Sequence, residues 1–154
     1  MKRAFIASLA VAALAAASCE PGGPMLPSPN APGEIRQSVP GHPDLVQTVR
    51  ITPAEPAKGD TIVVTTVLTN VGSATSQPLE VSICGPGLRG SLSIANPFAV
   101  CAGFSMQVTL APGDSTLDAA TRVVESGPGT YVLEVNQVRR PETWLPVTVR
   151  VRAR

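Results

Sequence analysis

The chain has 154 residues, among them 16 Pro and 13 Gly, and is 44% hydrophobic but only 3% aromatic. That leaves room for one domain of about 100 residues with appendages, its core built from Val, Leu, Ile and Ala. The formal charge of +1 falls to −1 once Lys2 and Arg3 are removed with the N-terminal segment, which excludes the basic footprint of a nucleic-acid binder.

Met1-Lys-Arg3 is a positive n-region, Ala4 to Ala17 an apolar h-region, and Ala16-Ala17-Ser18-Cys19 a small-residue cleavage site. Residues 1–18 therefore read as an export signal outside the fold. The ending resembles the lipobox of bacterial lipoproteins, with Ala16 where Leu is usual. The resemblance implies that Cys19 is lipidated and anchors the protein to a membrane, since acyl chains contribute about 0.8 kcal/mol per buried CH₂. Ordinary secretory cleavage nearby, with Cys19 an incidental thiol, is the alternative. Glu20 follows the cysteine, and a lipoprotein without Asp there resembles an outer-membrane case.

Residues 19–43 carry Pro21, Pro24, Pro27, Pro29, Pro32, Pro40 and Pro43 among Gly, Ser and Asn. Such composition buries too little apolar surface to offset its ordering entropy, so a disordered tether is expected. The single histidine, His42, falls at its end and is expected to be a solvated linker residue.

Residues 44–154 are expected to fold. Leu45, Gln47, Val49 and Ile51 share one parity of a first strand that stops before Pro53. In Gly59 to Gly72, Ile62, Val64 and Leu68 alternate with Val63, Thr65, Val67 and Thr69. This predicts a central strand ended by a turn at Asn70-Val-Gly72, whose Asn and Gly tolerate positive φ. Leu79, Val81 and Ile83 are expected inward on the next strand. Gly85 to Val100 reads as a long loop or a short extra strand around Leu92 to Ile94. Phe104, Met106, Val108 and Leu110 are in phase on a further strand, and Ala111-Pro-Gly-Asp114 turns the chain. Ser115 to Glu125 reads either as an irregular strand or as a short helical turn. Thr130 to Val138 places Tyr131, Leu133 and Val135 inward. Thr143 to Arg152 does the same for Leu145, Val147, Val149 and Val151, leaving Thr148, Arg150 and Arg152 in solvent as the charged face of an edge strand. About seven strands without a convincing long helix predict an all-β, immunoglobulin-like antiparallel β-sandwich.

Cys84 and Cys101 remain after Cys19. Each has the parity opposite to its strand's core residues, and an exported chain meets oxidising conditions. A structural disulfide closing the intervening loop is the favoured expectation; two free thiols or a metal pair are the alternatives.

Three stretches resemble bacterial immunoglobulin-like domains: Leu68-Thr-Asn-Val-Gly72, Leu110-Ala-Pro-Gly-Asp-Ser115 and Gly127-Pro-Gly-Thr-Tyr-Val-Leu-Glu-Val135. Their order is similar to the intracellular proteinase inhibitor (BsuPI) domain and, less closely, to the CARDB domain, over roughly Lys58 to Val138. The resemblance implies the sandwich and, as one alternative, proteinase inhibition, with Gly85 to Val100 as the candidate segment. It transfers no inhibitory residue.

No arrangement of nucleophile and base stands out, so no catalytic residue is expected. Asp60, Asp114 and Asp118 are expected to hydrogen-bond local backbone, and no residue set calls for a metal or cofactor. The expected function is a non-catalytic, lipid-anchored envelope protein presenting a binding module or, as an alternative, a structural subunit of an envelope complex. It would contact the membrane through its lipid and an envelope protein, glycan or proteinase through loops at one end of the sandwich.

Overall fold

The computed structural model describes residues 32–97, 103–139 and 143–154. Cys19, the export signal, most of the tether and Cys101 lie outside the described residues. Ten strands occur among those described: β1 (Glu34–Val39), β2 (His42–Thr52), β3 (Thr61–Asn70), β4 (Leu79–Ser82), β5 (Gly87–Gly90), β6 (Ile94–Ala95), β7 (Ser105–Val108), β8 (Ser115–Val124), β9 (Gly129–Asn136) and β10 (Leu145–Val151). One sheet has the order β1-β2-β3-β8-β6 and a second β10-β9-β5. The pair β4-β7 adjoins the end of β9, because Ser82 N–H donates to Gln137 O and Arg139 N–H donates to Glu80 O. This is an immunoglobulin-like antiparallel β-sandwich.

The alternation read from the sequence describes the central strands well. Leu45, Val49 and Ile51 on β2 and Ile62, Val64 and Leu68 on β3 are all buried. β3 is the middle strand of the larger sheet, paired to β2 and β8 on either side. On β10, Leu145, Val147, Val149 and Val151 point inward and Arg150 and Arg152 outward from an edge strand.

The structure corrects several of these expectations and decides between others. The fold starts before residue 44: β1 occupies part of the expected tether and pairs with β2. Pro40-Gly41, which reads as linker punctuation, is a hairpin turn joining Val39 to His42, with Pro at the first corner and Gly41 at φ 76°. His42 is accordingly the first residue of β2 and half-buried, not a solvated linker residue. Of the two alternatives read for Ser115 to Glu125, the strand is the one that forms, over residues 115–124, because pairing with β3 along its length overrides the helix-favouring Leu117-Asp-Ala-Ala120. Finally, Ile83, Phe104 and Met106 have the inward parity yet are 53%, 62% and 50% exposed, since the core ends before it reaches them.

The interior is divided. One cluster gathers Val49, Ile62, Leu133, Val135, Val147 and Val149 among others, and a second gathers Leu45, Leu68, Leu79, Val81, Leu110 and Val138. Between them lies a buried polar layer of Gln47, Thr66 and Gln137. Gln47 stands opposite Leu68, and Leu68 opposite Thr116, whose carbonyl accepts from Gln137 Nε2 at 3.5 Å.

Asp60, Asp114 and Asp118 all bond local backbone, although Asp118 lies within β8 and not at a turn: Asp60 Oδ2 accepts from Ala57 N–H at 2.8 Å, Asp114 Oδ2 from Ala111 N–H at 3.2 Å, and Asp118 Oδ1 from Ala119 N–H at 2.9 Å. Burial raises the pKa of Asp118 above its ordinary 3.8, against the pull of the Ala119 and Gly85 N–H groups. The folded state therefore binds this proton more tightly than the unfolded one. Its contribution favours folding below 3.8 and is lost as pH rises through the raised folded value. Asp118→Asn, which has no proton to lose, is expected to be more stable than wild type at neutral pH. The difference should shrink steadily in urea titrations as the pH is lowered toward 3.8 and below.

Candidate functional site

β9 and β10 carry alternating residues, so burial of Leu133, Val135 and Leu145 sends Glu134, Asn136 and Trp144 to the outer face of the second sheet. On β5, Gly87 pairs with Asn136. A Cβ at position 87 would stand 3.1 Å from Cη2 of the Trp144 ring, so the missing side chain is what lets the indole lie across the strand. Two positions on, the Arg89 guanidinium stacks over the same ring at 4.2 Å from its centroid. Its Nε donates to Glu134 Oε2 at 2.6 Å, which holds that orientation.

Beside this platform is a hollow of about 440 Å³ lined by Ser82, Cys84, Gly85, Gly87, Gly103, Asn136, Arg139 and Trp144. Arg139 closes one side, with Nη2 donating to Gly103 O at 2.6 Å and Nη1 lying 4.0 Å from Glu80. Asn136 is nearly buried; the Thr143 hydroxyl lies 3.0 Å from its Oδ1 and 2.7 Å from Val138 O, joining the ends of β9 and β10. Both guanidiniums have a carboxylate nearby, so the hollow carries no large net charge. It offers an indole edge, backbone groups exposed at glycine, and guanidinium N–H donors. These bind by packing and hydrogen bonding.

Cys84 reaches this outer surface with Ser82, as its parity implies, and its N–H donates to Ser82 Oγ at 3.3 Å. Its expected mate, Cys101, lies outside the described residues, as does Cys19. The sequence reading passed over Trp144. Its signal was present, a lone Trp in a chain with few aromatics, but the partners that make it a platform come from β5 and β9, which are remote from it or each other in sequence. Gly85 to Val100 is less of a loop than expected. β5 pairs with β9 and β6 with β8, so the segment stitches one sheet to the other.

The turn motifs have a structural role. Asn70 N–H donates to Asp114 O and Asn70 O accepts from Gly113 N–H, while its side-chain Nδ2 donates to Ala74 O and Leu110 O, both at 2.8 Å. The Leu68-Thr-Asn-Val-Gly72 and Leu110-Ala-Pro-Gly-Asp-Ser115 stretches thus lock together. The third stretch closes on itself, with the Tyr131 hydroxyl donating to Gly127 O at 3.1 Å.

No protein-family model matches the chain, and no curated protein matches it. Among solved structures it is similar to the ASH / PapD-like domain of human CEP192 (PapD-like domain 7), at 13% identity over 96% of this chain and 100% of that one, with a TM-score of 0.28. A likeness at that TM-score carries no argument about function, and the fold rests on the strand layout itself.

Proposed function

We propose that this protein is a non-catalytic module, lipid-anchored at Cys19 to the cell envelope, that binds an envelope protein or glycan on the outer face of its second sheet. The observation that carries the binding reading is the hollow beside Trp144, walled by Arg139 and floored by glycine backbone. This moves the expected contact from the loops at the end of the sandwich to a sheet face. The lone indole makes the test direct. Tryptophan fluorescence of the full chain, titrated with envelope glycan fragments and with solubilised envelope proteins, should change saturably with one of them. Trp144→Ala, on the outer face, should keep the fold by circular dichroism and lose capture of that partner on an immobilised surface. A flat titration across both panels would remove the reading.

The anchor is tested separately. Cys19→Ser expressed in a bacterial host should move the protein from the membrane fraction to the soluble one, because no other part of the chain supplies acyl chains. Retention of the variant in the membrane would point to ordinary secretory processing with another means of attachment.

A disulfide between Cys84 and Cys101 remains part of the proposal, supported by the outward placement of Cys84 at the rim of the hollow. The BsuPI-like alternative, proteinase inhibition, draws less support. Within its candidate segment, residues 87–90 and 94–95 are held in the two sheets as β5 and β6, which keeps those residues from entering a proteinase cleft.

A further inference from the structure

The β4-β7 pair has one edge against the end of β9, and its other edge is open among the described residues. Its register is Leu79↔Val108, Glu80↔Gln107, Val81↔Met106 and Ser82↔Ser105, and Ile83 N–H donates to Phe104 O in the next step of the same register. In an antiparallel ladder alternate pairs exchange hydrogen bonds, so Phe104, Met106 and Val108 spend their backbone groups on β4. Ser105 and Gln107 turn theirs to the open edge. No hydrogen bond of a described residue meets these groups.

The other edges are defended. β1 carries Glu34 and Arg36, β10 carries Pro146 and Arg150, β5 carries Arg89, and β6 is two residues long. Charge and proline on an edge discourage strand addition. From Gly103 to Leu110 there is neither. The adjoining apolar side chains, Ile83, Phe104 and Met106, are the exposed inward-parity residues noted above.

We infer that β7 pairs antiparallel with β7 of a second copy of this chain, about a two-fold axis at Met106. That register sets Ser105 opposite Gln107 of the other copy, and reciprocally, so the open backbone groups bond one another. Met106 meets Met106 in the close, non-hydrogen-bonded position. On the apolar face, the row Ile83-Phe104 of one copy continues into the Val108-Leu79 row of the other. On the opposite face, the Glu80-Gln107 row continues into Ser105-Ser82, which keeps the two Glu80 carboxylates apart. Charge matching selects this occupant: an uncharged edge suits an uncharged edge, and among the described edges of full strand length only β7 is one. The contact is short beside a standard interface of roughly 1,600 Å², so the dimer is weak in dilute solution. Attachment of both copies to one membrane would raise their effective concentration.

Sedimentation velocity of the full chain, in mild detergent with micelles in large excess, tests this across a wide concentration range. Wild type should show a concentration-dependent dimer. Met106→Glu sets two carboxylates face to face at the axis and should weaken it by about tenfold or more. Gln107→Pro removes an N–H that bonds nothing within one copy and should do the same. Both variants should keep the wild-type circular dichroism. A wild type that stays monomeric, or a dimer that survives both substitutions, overturns the inference. So does slow hydrogen exchange at Ser105 and Gln107 that persists when the chain is diluted to monomers, for then another segment covers the edge.

Discussion

Asn70→Ala is expected to destabilise the domain by about 3–5 kcal/mol, read as a lower urea midpoint at unchanged m value. Asn70 is fully buried, and its amide makes three hydrogen bonds: Nδ2 to Ala74 O, Nδ2 to Leu110 O, and Oδ1 from Gly72 N–H at 2.9 Å. Alanine would leave Ala74 O and Gly72 N–H without this partner and strip one of two donors from Leu110 O, which keeps Ser76 N–H, at about 1–3 kcal/mol for each group left unpaired when nothing relaxes. Asn70→Asp is the informative companion. It keeps the acceptor for Gly72 but sets a carboxylate against two carbonyl oxygens, so it should be no better than alanine. Near-wild-type stability of either variant would mean that the two turns hold without the clamp.

The reverse effect is expected at Gln47. Its side chain is 1% exposed on an otherwise apolar face of β2, and neither Nε2 nor Oε1 has a hydrogen-bond partner. An amide in that state costs about 1–3 kcal/mol relative to an apolar group of similar shape. Gln47→Met keeps the unbranched shape and the length, and would connect the two apolar clusters beside Leu68. We expect a gain of about 1–2 kcal/mol and a rise in Tm of several degrees by calorimetry. A loss of stability would show that Gln47 is hydrogen-bonded in solution, as through a water bridged to Gln137 Oε1, which also lacks a partner.

Both predictions arise where the reading of residues and the folded chain part company. Asn-Val-Gly at 70–72 was legible as a strand stop, but not for the reason that operates. Gly72 does not need positive φ; a Cβ there would fall 2.6 Å from Asp44, so glycine is required by the close approach of the start of β2. Gln47 looked like one more inward residue of an alternating strand, and its lack of partners depends on the opposite sheet. Ile83, Phe104 and Met106 kept perfect phase yet remain uncovered, because alternation assigns a face and says nothing about where the facing sheet ends.

The features legible in the residues alone are local. Period-two alternation of Val, Ile and Leu placed β2, β3, β9 and β10 and their buried faces, and Asn70-Val-Gly72 and Pro112-Gly113 marked turns, because backbone sterics and side-chain parity act over a few residues. Tertiary structure alone decided the rest. It made β1 and β8 strands by pairing them with stronger neighbours, and it split the core around Gln47 and Gln137. It also assembled the Trp144 hollow from residues on β4, β5, β9 and their flanking turns, and it left the β7 edge open. Each of these depends on which strands lie side by side, and contacts between residues tens of positions apart have no counterpart in the period of any single stretch.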